Sequence, residues 1–156
     1  MDIEPPNAQE ITKVVEQRLA NRTTGLEESV AIDWRDARVS MPVVSMRLDM
    51  TYYNPNTRRI QAQRGIDPDR EKELLQDPYS EESQAYLEEL LQWDPARPGT
   101  LDPTFEKLKE DLELHGQDDP GLMTRSGLLI NGNTRRAAWR ALGKENIRVG
   151  VLPADT

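Results

Sequence analysis

The chain has 156 residues, a net charge of −8 and a mean hydropathy of −0.77. It holds no cysteine and a single histidine, which excludes disulfides, thiolate zinc sites, iron–sulfur ligation, thiol nucleophiles and multi-histidine metal centres. No stretch approaches the ~20 apolar residues of a membrane span, and the acidic start Met1-Asp2-Ile3-Glu4 lacks the apolar core of a secretion signal, so one soluble cytoplasmic domain is the expectation.

In chain order, Asn7 to Arg22 carry Ile11, Val14, Val15 and Leu19 at helical spacing, and Gly25 follows as a stop signal. This predicts an amphipathic helix that packs on the core. Ser29–Trp34 and Pro42–Tyr53 read as extended, because apolar residues from Val44 to Tyr52 fall at every second position. Asn54-Pro55-Asn56 marks a turn, followed at once by Thr57-Arg58-Arg59. Asp67 to Asp102 is acidic and cut by prolines. From Asp67 to Asp119 the net charge is −12, the pattern of a solvated face or a mobile insertion. Within it, Tyr86, Leu87, Leu90, Leu91 and Trp93 follow a short helical pattern that either packs the insertion down or offers a partner surface.

Asp102-Pro103 is a helix start, an N-cap followed by proline at the first helical position. Phe105, Leu108 and Leu112 continue that helix to His115-Gly116, where glycine suits the left-handed exit and His115 suits capping. Gly121 to Ile130 predicts a strand–turn–strand, a helix follows over about Arg135 to Leu142 with Trp139 on its core side, and Ile147, Val149 and Val151 alternate as a last strand. The whole order predicts a mixed α+β domain.

The chemistry concentrates in Asn131-Gly132-Asn133-Thr134-Arg135-Arg136, which joins a strand to a helix. A helix start offers unpaired N–H groups and partial positive charge. Glycine allows a sharp turn and a close ligand, and guanidinium forks match phosphate oxygens. Together these read as a phosphate site. Arginines there oppose the helix dipole, and Gly121–Thr156 carries a net charge of +4 inside an acidic chain. The alternative is that Arg135 and Arg136 pair with the acidic segment. Arg58 and Arg59 either approach the same ligand or form a solvated loop pair. Glu81-Glu82 and Asp118-Asp119 are carboxylate pairs with no spacing that fixes a magnesium site.

From Thr104 to Leu152 the chain resembles the ParB/sulfiredoxin-type domain, the N-terminal part of ParB-like proteins. The resemblance is carried by the helix Phe105–Leu112, His115-Gly116, Pro120, the run Leu128–Ala138 that matches a G-E-R-R-x-R-A-type helix start, and Ala141-Leu142-Gly143 before the last strand. Upstream, Met46 to Arg59 is similar to the family's opening strand and its Asn-Pro…Arg segment. The resemblance implies a small mixed sheet flanked by helices, with residues 1–41 as an N-terminal extension, 42–60 as the opening strand and arginine loop, 67–102 as an acidic helical insertion and 103–153 as the core. It also implies a regulatory nucleotide site for CTP or ATP in DNA transactions, with magnesium left open. Asn131, Gly132, Asn133, Thr134, Arg135, Arg136, Arg58, Arg59, Gly116 and Asp119 would form that site, Gly132 being the close-approach glycine.

Asn133 stands where the family has glutamate, Thr134 where it has its first arginine, Ala137 where it has its third, and Asp119 where glutamine usually precedes the proline. Loss of the carboxylate at Asn133 removes a candidate for metal binding or water activation, so the resemblance implies binding and leaves turnover open. Sulfiredoxin chemistry needs a cysteine and is excluded. Full partition proteins continue into a helix-turn-helix domain. This chain ends at Thr156, which leaves open a part of a larger protein and a domain acting alone, as a homodimer or otherwise. Two rival functions remain: a metal-dependent nuclease or nucleotide hydrolase using Asp118, Asp119 or an acid of the 67–102 insertion, and a DNA- or protein-binding domain with a degenerate pocket.

Overall fold

The computed structural model describes residues 4–22, 28–94, 96–117 and 119–153, so Gly25 and Asp118 lie outside the described residues. Alternating Ile147, Val149 and Val151 form the middle strand of a five-stranded sheet, and all three side chains are buried. In chain order the strands of that sheet are β1 (Ser29–Trp34), β2 (Ala37–Arg47), β5 (Gly121–Met123), β6 (Leu129–Asn131) and β7 (Asn146–Val151). Their spatial order is β1-β2-β7-β5-β6. Only the β5–β7 pair is parallel.

One face of the sheet is covered by α1 (Ala8–Ala20), whose Ile11 and Val15 are fully buried against Val44, Met46, Leu129, Val149 and their neighbours. The helix predicted over Asn7–Arg22 is therefore present within one or two residues at each end. The strand predicted to run on to Tyr53 is shorter. β2 leaves the sheet at Arg47, whose partner Asn146 is the first residue of β7. Past it the Leu48 N–H still donates to the Glu145 carbonyl at 2.9 Å, the chain then closes a single 3-10 turn over Leu48–Met50, and Tyr52 makes one isolated bridge to Leu128. The Leu48 carbonyl accepts from the Thr51 N–H at 3.0 Å and the Thr51 hydroxyl at 2.7 Å, and both it and the Thr51 carbonyl take a further donor from α6, described below.

The acidic segment folds as α3 (Pro68–Gln76) and α4 (Glu81–Gln92), preceded by the short α2 (Arg58–Gln61). Each of the two longer helices starts as local chemistry dictates. Asp67 accepts from the Arg70 N–H with Pro68 at the first position, and Ser80 accepts from the Ser83 N–H. Its charge hides an apolar stripe. Leu74, Tyr86, Leu87, Leu90 and Leu91 are buried together with Ile60, Phe105, Leu112, Ala137 and Ala138 in a second core. Full burial of one such leucine stabilises the fold by about 1.5–3 kcal/mol, so the segment is a structural wall, with Asp69, Asp77, Glu81, Glu82 and Glu89 facing solvent.

After α4 comes an unforeseen two-stranded hairpin, β3 (Trp93–Asp94) and β4 (Arg97–Leu101). It leads to α5 (Pro103–His115), capped by Asp102 through the Thr104 N–H at 2.9 Å and closed by Gly116 at φ +74°. The last helix, α6 (Asn133–Ala141), lies between the two cores, and Trp139 packs against both. The architecture is a small α+β domain with a mixed sheet. No helix among the described residues is long and apolar enough to cross a membrane.

Candidate functional site

β6 runs into α6 through a single residue, Gly132, held at φ +93°. A Cβ there would come within 2.9 Å of the Gly121 Cα on β5. The close approach this glycine permits is thus to a neighbouring strand, and the same tight crossing aims the start of α6. Asn131 Oδ1 accepts from the Gly132 N–H at 2.7 Å. Arg136 N–H closes the first helical bond onto the Gly132 carbonyl at 2.9 Å, and among the described residues no side chain caps the N–H groups of Asn133, Thr134 and Arg135.

Asn133 is buried and holds two segments together. Its Oδ1 accepts from the Asn54 N–H at 2.9 Å and its Nδ2 donates to the Leu129 carbonyl at 3.2 Å. The Asn-Pro segment and the helix start, far apart in sequence, are therefore brought side by side. A glutamate here would put a carboxylate oxygen where Nδ2 now donates to a buried carbonyl, so the asparagine fits its position structurally.

The start of α6 opens into a cavity of about 360 Å³. Residues 131–135 form one wall. Thr57 and Arg59 form a second, and Leu91, Leu108 and Ile130 supply apolar surface. The Thr57 Oγ1 is buried without a hydrogen-bond partner among the described residues. An adjoining cavity of about 380 Å³ shares Leu108 and Arg135 with the first and is lined further by His115, Gly116 and Asp119. Arg135 thus stands between the two. Its guanidinium lies 3.7 Å from the Asp119 carboxylate, which is 80% exposed. An ion pair this exposed contributes about 0–1 kcal/mol and exchanges readily for another anion.

The other arginines separate by role. Arg58 is exposed and is not among the residues lining the cavity. Arg59 lines it, but its guanidinium is held by the carbonyls of Leu91 and Trp93 and by Asp102 at 2.8 Å. The Arg59 hydrogen bond is the main cause that holds the Asp102 carboxyl below its ordinary range, against partial desolvation. That stabilisation is complete above the usual carboxylate pKa of about 4 and is lost as pH falls through the lowered value.

Arg136 turns away from the cavity altogether. It is 8% exposed and donates to Thr51 Oγ1 at 2.6 Å, the Leu48 carbonyl at 2.8 Å and the Thr51 carbonyl at 3.1 Å. Its guanidinium lies 4.4 Å from the centre of the Tyr53 ring. The Tyr53 hydroxyl in turn donates to Glu88, and burial pushes that phenol well above its ordinary pKa. Expected as a phosphate ligand, Arg136 is a structural tie, because adjacent residues on a helix point about 100° apart and only one of the pair can face the cavity.

Sequence reasoning missed Thr57, whose signal was its place between the Asn-Pro turn and Arg58. It also missed the apolar wall, which comes from three elements distant in sequence. Among the described residues no group of three or more His, Asp or Glu is placed to hold a metal ion. Comparison with known protein families gives no match, and comparisons with curated proteins and with solved structures give none either.

Proposed function

We propose that this chain is a ParB-like nucleotide-binding module in which the phosphates of CTP or ATP rest on the start of α6 and the cavity beside it receives the rest of the nucleotide. One observation carries the reading: a helix start with no side-chain cap among the described residues opens into a cavity with Arg135 at its edge. Backbone N–H groups and the helix dipole favour an anion there. Arg135 supplies the permanent charge, and Asp119, its exposed partner, yields to phosphate. The unpartnered Thr57 hydroxyl offers a further hydrogen bond, and Leu91, Leu108 and Ile130 suit an apolar face such as a base. The volume falls within the range of ordinary small-ligand sites.

Among the described residues lining this cavity there is no carboxylate. That favours binding over hydrolysis at this cavity, and the proposal extends to a regulatory role in DNA transactions on the resemblance to ParB-like domains. Magnesium would enter on the phosphates rather than on protein ligands.

Titration calorimetry with CTP, ATP and GTP in the presence of magnesium tests this. At least one nucleotide is expected to bind. Arg135→Ala should weaken it about 10- to 100-fold, the loss of one charge-assisted contact of about 1.5–3 kcal/mol. No heat with any of the three, or an Arg135→Ala variant that binds as tightly as the parent, contradicts the proposal.

A further inference from the structure

On another side of α6 lies a wider cleft of about 740 Å³ that shares no lining residue with the helix-start cavity. Arg18 of α1, Arg47 at the end of β2, Arg136 and Arg140 of α6 and Lys144 just beyond it line this cleft. Asp49 and Glu145 are its only lining carboxylates among the described residues, and Glu88 beside it reaches Arg140 at 2.8 Å and Arg136 at 4.0 Å, which leaves a local excess of two positive charges in a chain of net −8. Arg136 forms the floor and is held by backbone carbonyls. The other four cations are exposed.

Arg140 pairs with Glu88 at 2.8 Å and Arg47 with Asp49 at 2.5 Å, but both arginine side chains are more than half exposed. Such pairs contribute little to stability and leave most of the guanidinium donors directed to solvent. Arg18 has no carboxylate partner among the described residues, and Lys144 sits 5.6 Å from the centre of the Trp139 ring. The carboxylates around the cleft do not balance its cations, and the remaining positive charge favours an anion there. Three of the four exposed cations are arginines, whose planar forks match phosphate oxygens. They come from separate elements around an open cleft rather than from one loop, which suits an extended chain of phosphates more than a single ion.

We propose that this cleft binds the phosphodiester backbone of a nucleic acid, at a site separate from the nucleotide cavity. The base edges are not read, so the contact is electrostatic and sequence-tolerant. Fluorescence anisotropy with a labelled oligonucleotide, single-stranded and duplex, tests it across a salt series. Four backbone contacts predict that single-strand affinity falls about fiftyfold between roughly 50 and 200 mM salt. The double variant Arg18→Glu/Lys144→Glu should bind at least about tenfold more weakly at low salt and lower the salt slope by about 1.5. Both positions are exposed, and an unchanged unfolding midpoint confirms that the variant folds.

Arg135→Ala should bind the oligonucleotide as the parent does, so failure here and failure of the nucleotide reading are distinguishable. Absence of oligonucleotide binding at low salt, or a double variant indistinguishable from the parent, overturns the proposal. Displacement by poly-glutamate as effective as by unlabelled oligonucleotide also overturns it, and assigns the cleft to acidic protein segments instead.

Discussion

Arg136→Ala is expected to destabilise the fold by about 3–5 kcal/mol, the cost of breaking a buried charged hydrogen-bond cluster. The Leu48 and Thr51 carbonyls and the Thr51 hydroxyl each lose a donor, and the Tyr53 ring loses the cation stacked on it. For a domain of this length about 2–4 °C of Tm accompanies each kcal/mol, so the midpoint should fall by roughly 10 °C. Arg136→Lys should recover only part of the loss, because an ammonium cannot reach three acceptors with the geometry of a guanidinium. Thermal and urea unfolding of the two variants measure this directly. A stability loss under about 1 kcal/mol for Arg136→Ala, the range typical of surface positions, would show that Arg136 is not the tie described.

Gly132→Ala carries the second large effect, about 3 kcal/mol. A β-carbon at φ +93° is strained by about 1–2 kcal/mol whatever surrounds it. At this position it also meets the Gly121 Cα at 2.9 Å, backbone against backbone, which cannot yield without moving β5 or the start of α6. Gly143→Ala provides the control. It sits at φ +76° with nothing within 4 Å of its would-be Cβ, so only the conformational cost of about 1 kcal/mol applies. Urea midpoints of the two variants should therefore differ clearly. Equal losses would mean that the strand crossing is not tight.

The sequence is informative where local chemistry decides the outcome. Asp102-Pro103 starts a helix because the side chain caps and proline fits the first turn, and Ile147, Val149 and Val151 alternate because one strand lies between buried neighbours. It misleads where tertiary partners decide. The alternation through Leu48, Met50 and Tyr52 looks like strand, yet the ladder to β7 ends with the Leu48 N–H on the Glu145 carbonyl, and the Leu48 and Thr51 carbonyls accept from Arg136. In the acidic segment the sum of charge obscures a stripe of leucines that only the helical arrangement collects on one side.

The candidate site was legible to a similar degree. Asn131 to Arg135 do line one cavity, and the Asn54–Arg59 segment does lie beside them through Asn133. Two adjacent arginines cannot reveal from sequence which of them faces outward. Nor can spacing show that Arg59 is held by Leu91, Trp93 and Asp102, residues at least 32 positions away. The basic cleft had one local sign, Arg136, Arg140 and Lys144 recurring every four residues, but Arg18 and Arg47 join it only through the fold.

The most direct measurement is the amide spectrum of isotope-labelled protein during titration with CTP and ATP in magnesium. The largest shifts should fall on the N–H groups of Asn133, Thr134 and Arg135, with smaller ones at Thr57. Amides at the start of α6 that stay fixed while others move, or a response confined to the neighbourhood of Arg18 and Lys144, would contradict a phosphate site at this helix start.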